Sequence, residues 1–367
     1  SNRVDTVLVT ASYLKDATQT LAAWHEAQGR RALVVDIQDI YDEFNDGIQH
    51  PKAIRAMLKW AASNWQAPAP QYLTLVGDGH WNFKGYNPAL FPPQPNPIPP
   101  LLAWVDPWQG EVPADSRLGD INDDAIPDMA VGRLPVNTAA EAQIVIQKIV
   151  NYDQGARSAA WQKRALFIAD NADGNGDFPA VTEDVVLNNT PSDLQPIRVY
   201  LGSAATPDAI AARTAISTNL QSGVLLVQYA GHGAPERWAH ELIWRTSDIP
   251  GLSNGSMLPL VMTFNCLDGY FVHPAPSTFS MAELMLRKAG GGSIAAISPT
   301  GLGTTAIQHE FRKTLLDVMF KDNVREMGRA LTVAKQKFGV KYGAHYLVDT
   351  MTLFGDPALR LPAQGAQ

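Results

Sequence analysis

Gly223-Val-Leu-Leu-Val-Gln-Tyr-Ala-Gly-His-Gly233 and, after a polar connection, Leu258-Pro-Leu-Val-Met-Thr-Phe-Asn-Cys-Leu-Asp-Gly-Tyr270 are the stretches that decide the fold. Val224 to Tyr229 and Leu258 to Phe264 are short, apolar and rich in β-branched or aromatic residues, the composition of strands buried on both faces of a parallel sheet. Each ends on a reactive side chain, His232 between two glycines and Cys266 after Asn265. In an open α/β sheet ligands bind at the carboxyl ends of the strands, so neighbouring strands of this kind bring His232 and Cys266 to one rim. A thiol nucleophile needs its base in that position.

Cys266 is the only cysteine of the chain, which excludes an internal disulfide and a thiolate metal cluster. A lone cysteine can equally be a small buried hydrophobe. Its position favours chemistry, because the chain turns polar at once through Asn265, Asp268 and Gly269. The glycines around His232 allow close approach of backbone to a ligand. A hydrogen-bonded core histidine in a glycine turn is the alternative.

Tyr229-Ala230-Gly231-His232-Gly233 with Trp238 nearby, followed by Asn265-Cys266-Leu267-Asp268-Gly269-Tyr270-Phe271, resembles the active-site signature of gingipain-type cysteine peptidases, within the wider caspase and legumain group. The resemblance extends to Gly290–Pro299, to Pro127–Pro135 and to Phe354-Gly355-Asp356-Pro357. It implies a caspase-like three-layer αβα sandwich, with mostly parallel sheets in two side-by-side halves. It also implies a cysteine endopeptidase acting on a protein or peptide through a Cys266/His232 dyad and a thioacyl-enzyme, the oxyanion held by the backbone of Gly233. A transpeptidase of the same fold and a catalytically silent scaffold are the other readings. Relatives orient the imidazole with a glutamate; here Asp173, or Asp170, stands in that region. By the same resemblance Trp238 lines the substrate pocket, and Asp177 is the acidic residue available to it.

At 367 residues the chain exceeds a typical single core, and two halves are expected, 1–155 and 156–367, divided at Gly155-Ala156-Arg157-Ser158. A hydrophobic content of 46% with 18% charged residues points to a folded protein. Net charge −7 without a basic block leaves no footprint for nucleic acid. No apolar run is long enough to span a bilayer, and nothing at the start resembles a signal peptide. The resemblance nonetheless implies a secreted or cell-surface bacterial enzyme.

Thr6–Thr10, Ala32–Ile37 and Tyr72–Val76 alternate with helical patterns, one led by Pro51, as a parallel sheet with crossovers requires. No GxGxxG follows Gly29, which argues against a dinucleotide site. Gly77-Asp78-Gly79-His80 reads as a capped turn with too few ligands to name a metal. Tyr86 to Trp108 is proline-rich and aromatic, so it should pack across the surface near the cleft without joining a central strand. Asp120, Asn122, Asp124 and Asp128 place oxygens at the spacing of a calcium loop, though Ala125 replaces the usual glycine. Calcium-binding gingipain relatives support a structural calcium there; a solvated Asp/Asn turn is the other reading. Asp173-Gly174-Asn175-Gly176-Asp177 is a second run of this kind.

Overall fold

The computed structural model describes residues 2–155, 159–275 and 277–362. Residues 156–158, most of the expected boundary between halves, lie outside the described residues. In chain order the strands are β1 (Thr6–Thr10), β2 (Ala32–Asp36), β3 (Tyr72–Val76), β4 (Leu102–Asp106), β5 (Gly110–Pro113), β6 (Ala130–Leu134), β7 (Arg164–Ala169), β8 (Gln195–Tyr200), β9 (Leu226–Ala230), β10 (Gly233–Ala234), β11 (Arg237–Trp238), β12 (Trp244–Arg245), β13 (Leu260–Phe264), β14 (Ala295–Pro299) and β15 (Met351–Phe354). The helices are α1 (Lys15–Ala27), α2 (Ile37–Phe44), α3 (Lys52–Asn64), α4 (Ala139–Gln154), α5 (Phe178–Asn188), α6 (Ala209–Gln221), α7 (Met281–Arg287), α8 (Thr305–Phe320), α9 (Met327–Tyr342) and α10 (Tyr346–Thr350).

Ten strands form one sheet in the order β2-β1-β3-β6-β15-β14-β13-β9-β7-β8. Helices cover both faces, giving the layered α/β architecture expected. Within each end of the sheet the strands are parallel, but β14 pairs antiparallel with β15, and β15 pairs parallel with β6. The four strands from the first part of the chain therefore run opposite to the five that carry the site. Local sequence does not encode this reversal. It arises because the last strand returns to the middle of the sheet and joins the two sets.

Strand burial follows the period of two. Val7 and Val9 face a core shared with Ile40, Ile54 and Leu58 of α2 and α3, while Leu8 faces the main core with Leu21 and Ile146 of α1 and α4. α3 starts at Pro51 as the sequence indicates, and α4 is closed at its start by a capping box between Thr138 and Glu141. The proline-rich stretch has no regular element from 86 to 101. Its end, Leu102–Asp106, is extended and stays out of the central sheet as expected, pairing only with β5 in a two-stranded hairpin. The ladder of that hairpin shifts register between Trp104 and Asp106.

The junction between the two strand sets holds a buried cation. Arg133 on β6 is 1% exposed, pairs with Asp115 at 2.6 Å and donates to the carbonyls of Gly77 and Ile98, both at 2.8 Å. Its guanidinium lies 4.7 Å from the centre of the Phe271 ring. Phe271 in turn meets Phe354 of β15 edge to face.

Candidate active site

β9 and β13 are adjacent and parallel, with Ala230 opposite Phe264. His232 and Cys266 each lie two residues beyond that matched pair, so both emerge at the same rim. The register places them there. A Cβ at Gly231 would come within 2.4 Å of the Tyr229 hydroxyl and 2.5 Å of Asp170. A Cβ at Gly233 would come within 2.2 Å of the Asn265 amide and 2.8 Å of the Cys266 carbonyl. Gly231 is thus required by close packing against Tyr229 and Asp170, and Gly233 by close packing of the histidine loop on the cysteine loop. Leu267 adopts φ +62°, which turns the chain sharply after Cys266.

The imidazole of His232 meets Asp173, whose Oδ2 lies 2.8 Å from Nε2. Asp173 is held by its own loop: Oδ1 accepts from the Asn175 backbone at 2.7 Å, and residues 173 and 176 form a β-bridge. The hydrogen bond from His232, with the Asn175 amide, lowers the Asp173 carboxyl to about 2, which favours its anionic form at neutral pH. Asp170, the other candidate, is buried and supports the loop by accepting the His232 backbone N–H at 3.1 Å. Burial pushes its carboxyl above the ordinary value. Phe178 meets the His232 ring edge to face at 5.4 Å, and His240 lies 4.7 Å away on the other side.

Cys266 is partly buried. Its thiol is turned toward the Gly303 carbonyl, 3.8 Å away, and among the described residues no hydrogen bond joins it to His232. Burial raises the thiol above its ordinary value, and the nearby Asp106 carboxylate acts in the same sense. Both effects favour the protonated thiol over the thiolate.

Against this frame the sequence profile of Peptidase family C25 matches residues 1–362. The chain belongs to peptidase family C25. Gingipain R2 of Porphyromonas gingivalis is 24% identical over 258 residues, which cover 68% of this chain and 35% of that protein. The chain thus spans about a third of the length of the curated relative it matches. Two solved structures share the fold: the Arg-specific cysteine proteinase gingipain R, with TM-score 0.77 and 20% identity over 98% of this chain and 78% of that one, and the complex of the RgpB pro- and mature domains of Porphyromonas gingivalis, with TM-score 0.77 and 19% identity over 97% and 79%.

In this C25 chain Trp238 departs from the expected pocket-lining position. It is 1% exposed, stacks on Tyr229 at 4.7 Å and donates from Nε1 to Asp268 Oδ1 at 2.5 Å. A buried indole whose N–H is satisfied packs beneath the site and presents no face to a substrate. Its partner Asp268 was not legible as a site residue. It also accepts from Thr263 and Ser298, and burial raises its carboxyl to about 6. Trp238 and Asp268 tie the histidine loop to the cysteine loop from below. The sequence signal was only that Asp268 follows the cysteine; its partner lies 30 residues away. Asp177 caps α5, its Oδ1 accepting from the Ala180 N–H at 2.9 Å, and lies five residues before Thr182 on that helix.

The loop with calcium-like spacing does not fit a cation. Asp120 is 3% exposed and pairs with Arg55 at 2.7 Å, while its two oxygens also accept the amides of Asp123 and Ala125. Asn122, Asp124 and Asp128 accept the amides of Asp124, Ile126 and Ile121. Asp123 pairs with Arg55 and with Lys59. Among the described residues no group of three His, Cys, Asp or Glu side chains is placed to hold a metal ion. The oxygens are spent on the loop's own amides and on two cations, which a bound dication would repel. We expect the thermal midpoint to be the same with and without a calcium chelator; a fall on chelation would place a cation in the fold.

A cavity of 820 Å³ is remote from this chemistry, between α1, α4 and the loops around Ser256 and Gly290. Its buried Lys148 donates to the carbonyls of Leu286, Lys288 and Gly291. Burial lowers this amine to about 7, and its three carbonyl acceptors make it a staple closing the end of α7.

Proposed function

We propose that the chain is a cysteine endopeptidase in which Cys266 is the nucleophile and His232 the acid and base. The observation that carries this reading is the placement of an Asp173-bonded imidazole and the sole cysteine on matched ends of adjacent parallel strands. With Nε2 engaged by Asp173, Nδ1 is the nitrogen left to serve the sulfur. Once the thiol turns from Gly303, its proton passes to His232 and the sulfur bonds the carbonyl carbon of the scissile peptide. The oxygen takes the negative charge and is stabilised by the backbone N–H groups of Gly233 and Cys266. The C–N bond then breaks, His232 giving its proton to the leaving amine. In the second half His232 takes a proton from water, hydroxide adds to the thioester, and the acid departs as the thiol is restored.

Asp173 acts in this scheme by holding the imidazole. We expect Asp173→Ala to lower kcat on the order of tenfold to a hundredfold with little change in KM, and Asp173→Glu to restore most of it. The expected loss is smaller than for a buried triad aspartate, because the Asp173 side chain is 33% exposed and water can partly replace it. A steady-state comparison of the two variants checks this, and unaltered kcat in Asp173→Ala counts against the orienting role.

A further inference from the structure

A second cavity opens beside the cysteine loop and is used by no step above. It is a cleft of 420 Å³, walled by Trp81, Phe83, Pro100, Leu102, Tyr270 and Val272. Two of its walls lead directly to Cys266. On one side Tyr270 follows a tight turn in which its N–H bonds the Leu267 carbonyl, so its backbone lies within roughly 10 Å of that of Cys266. On the other side β4 runs from Leu102 to Asp106, a span of about 13 Å at the rise of a strand.

Asp106 fixes the far end of that strand at the thiol. It is 3% exposed; its Oδ2 accepts the Leu302 N–H at 2.6 Å, and its Oδ1 accepts the amides of Trp108 and Gln109. The Leu302 amide adjoins Gly303, whose carbonyl faces Cys266. The hairpin is thereby latched to the nucleophile's own surroundings. Between Leu102 and Asp106 the strand exposes Trp104 (82%), and beyond Asp106 the half-exposed Trp108 meets Tyr346 edge to face at 5.6 Å.

From this placement we infer that the 420 Å³ cleft is a substrate subsite that takes one large apolar side chain, three or four residues from the cleaved bond. An extended peptide advances about 3.3 Å per residue, so three to four residues cover the roughly 10 to 13 Å from Cys266 to the cleft. Trp81, Phe83, Leu102, Tyr270 and Val272 give the lining its aromatic and aliphatic part, and Gln49, His50 and Glu111 add polar groups at its edge. An aromatic or branched aliphatic side chain matches that lining. The inference rests on the peptidase reading for its occupant.

The test is a mixture of random dodecapeptides incubated with the wild-type protein, with cleavage sites read by mass spectrometry, beside retention of the same peptides by immobilised Cys266→Ala. The expected result is enrichment of Phe, Tyr, Trp or Leu at the third or fourth residue on one side of the cleaved bond. For paired peptides with Phe or Ala at that position, kcat/KM should differ by roughly tenfold or more, mainly through KM. Leu102→Trp, which fills the cleft, should bring that ratio close to one. A ratio unmoved by Leu102→Trp, or no enrichment at either position, overturns the subsite. If the wild-type protein cleaves nothing, the peptidase reading fails by itself. Retention of the Phe peptide over the Ala peptide by Cys266→Ala, lost in the double variant with Leu102→Trp, then still upholds the cleft, and equal retention overturns it.

Discussion

Cys266→Ala is expected to abolish peptide hydrolysis, a loss on the order of 10⁴-fold or more in kcat, and His232→Ala to fall nearly as far, because nucleophile and base act as a unit. The second variant also separates chemistry from packing. Burial and the Asp106 carboxylate hold the thiol above its ordinary value, so alkylation of the wild-type protein should still be accelerating as pH rises past 8. The sign follows from thiolate being the reactive form. With His232 present, a proton acceptor lies within reach of the thiol at neutral pH. Without it, alkylation at pH 7 should be slower, and the two proteins should converge at high pH, where solvent removes the proton. Rates that coincide at every pH, or full hydrolysis by Cys266→Ala, would remove the dyad.

Arg133→Ala is expected to be the most damaging single substitution for stability, costing about 3–5 kcal/mol. The change would leave the Asp115 carboxylate, 1% exposed, without its cation, and the carbonyls of Gly77 and Ile98 without a donor. It would also strip the guanidinium from Phe271, five residues beyond the nucleophile. A denaturant titration with the slope held common to both proteins reads the difference. The stronger form of the claim concerns a double substitution, Arg133→Met with Asp115→Leu, which removes both charges and should recover much of the loss. If the double variant is no better than Arg133→Ala, the cost lies in the carbonyls and the aromatic contact and not in the orphaned charge.

These two expectations differ in what made them visible. Cys266 and His232 stand at the ends of apolar runs of seven and six residues, one closing on Asn265 and the other on Ala230-Gly231, and such a run turning to polar or glycine residues reads as a strand end. Their neighbours Gly231 and Gly233 announced close packing, and the contacts a Cβ would meet there are with Asp170 and with the cysteine loop. Asp173 was legible only with Asp170 beside it, because two carboxylates three residues apart give no sign of which meets a ring and which meets a backbone amide. Arg133 is one of 29 Lys and Arg residues, and its sequence context, Val131-Gly132-Arg133-Leu134, says only that a strand carries a charge.

Trp238 and the Asp120 loop show why spacing misleads. A tryptophan six residues after the histidine can point up to a substrate or down to a core; its indole points down, where the Oδ1 of buried Asp268 accepts its N–H. Oxygens at alternating positions suit a cation or a run of turns equally well. Arg55 and Lys59 on α3, more than 60 residues away, supply the positive charge that a bound ion would have brought.

The sequence by itself determined a buried-strand α/β fold with a thiol and an imidazole at strand ends, because periodicity and glycine placement are local properties, and the resemblance of its His-Gly and Cys motifs supplied the gingipain type. It did not contain the reversal at β15, the latch from Asp106 to the nucleophile's loop or the Trp238–Asp268 tie. Each of these joins residues 30 to nearly 200 positions apart, and only closure of the ten-stranded sheet sets which of many chemically equivalent partners a buried charge or N–H meets.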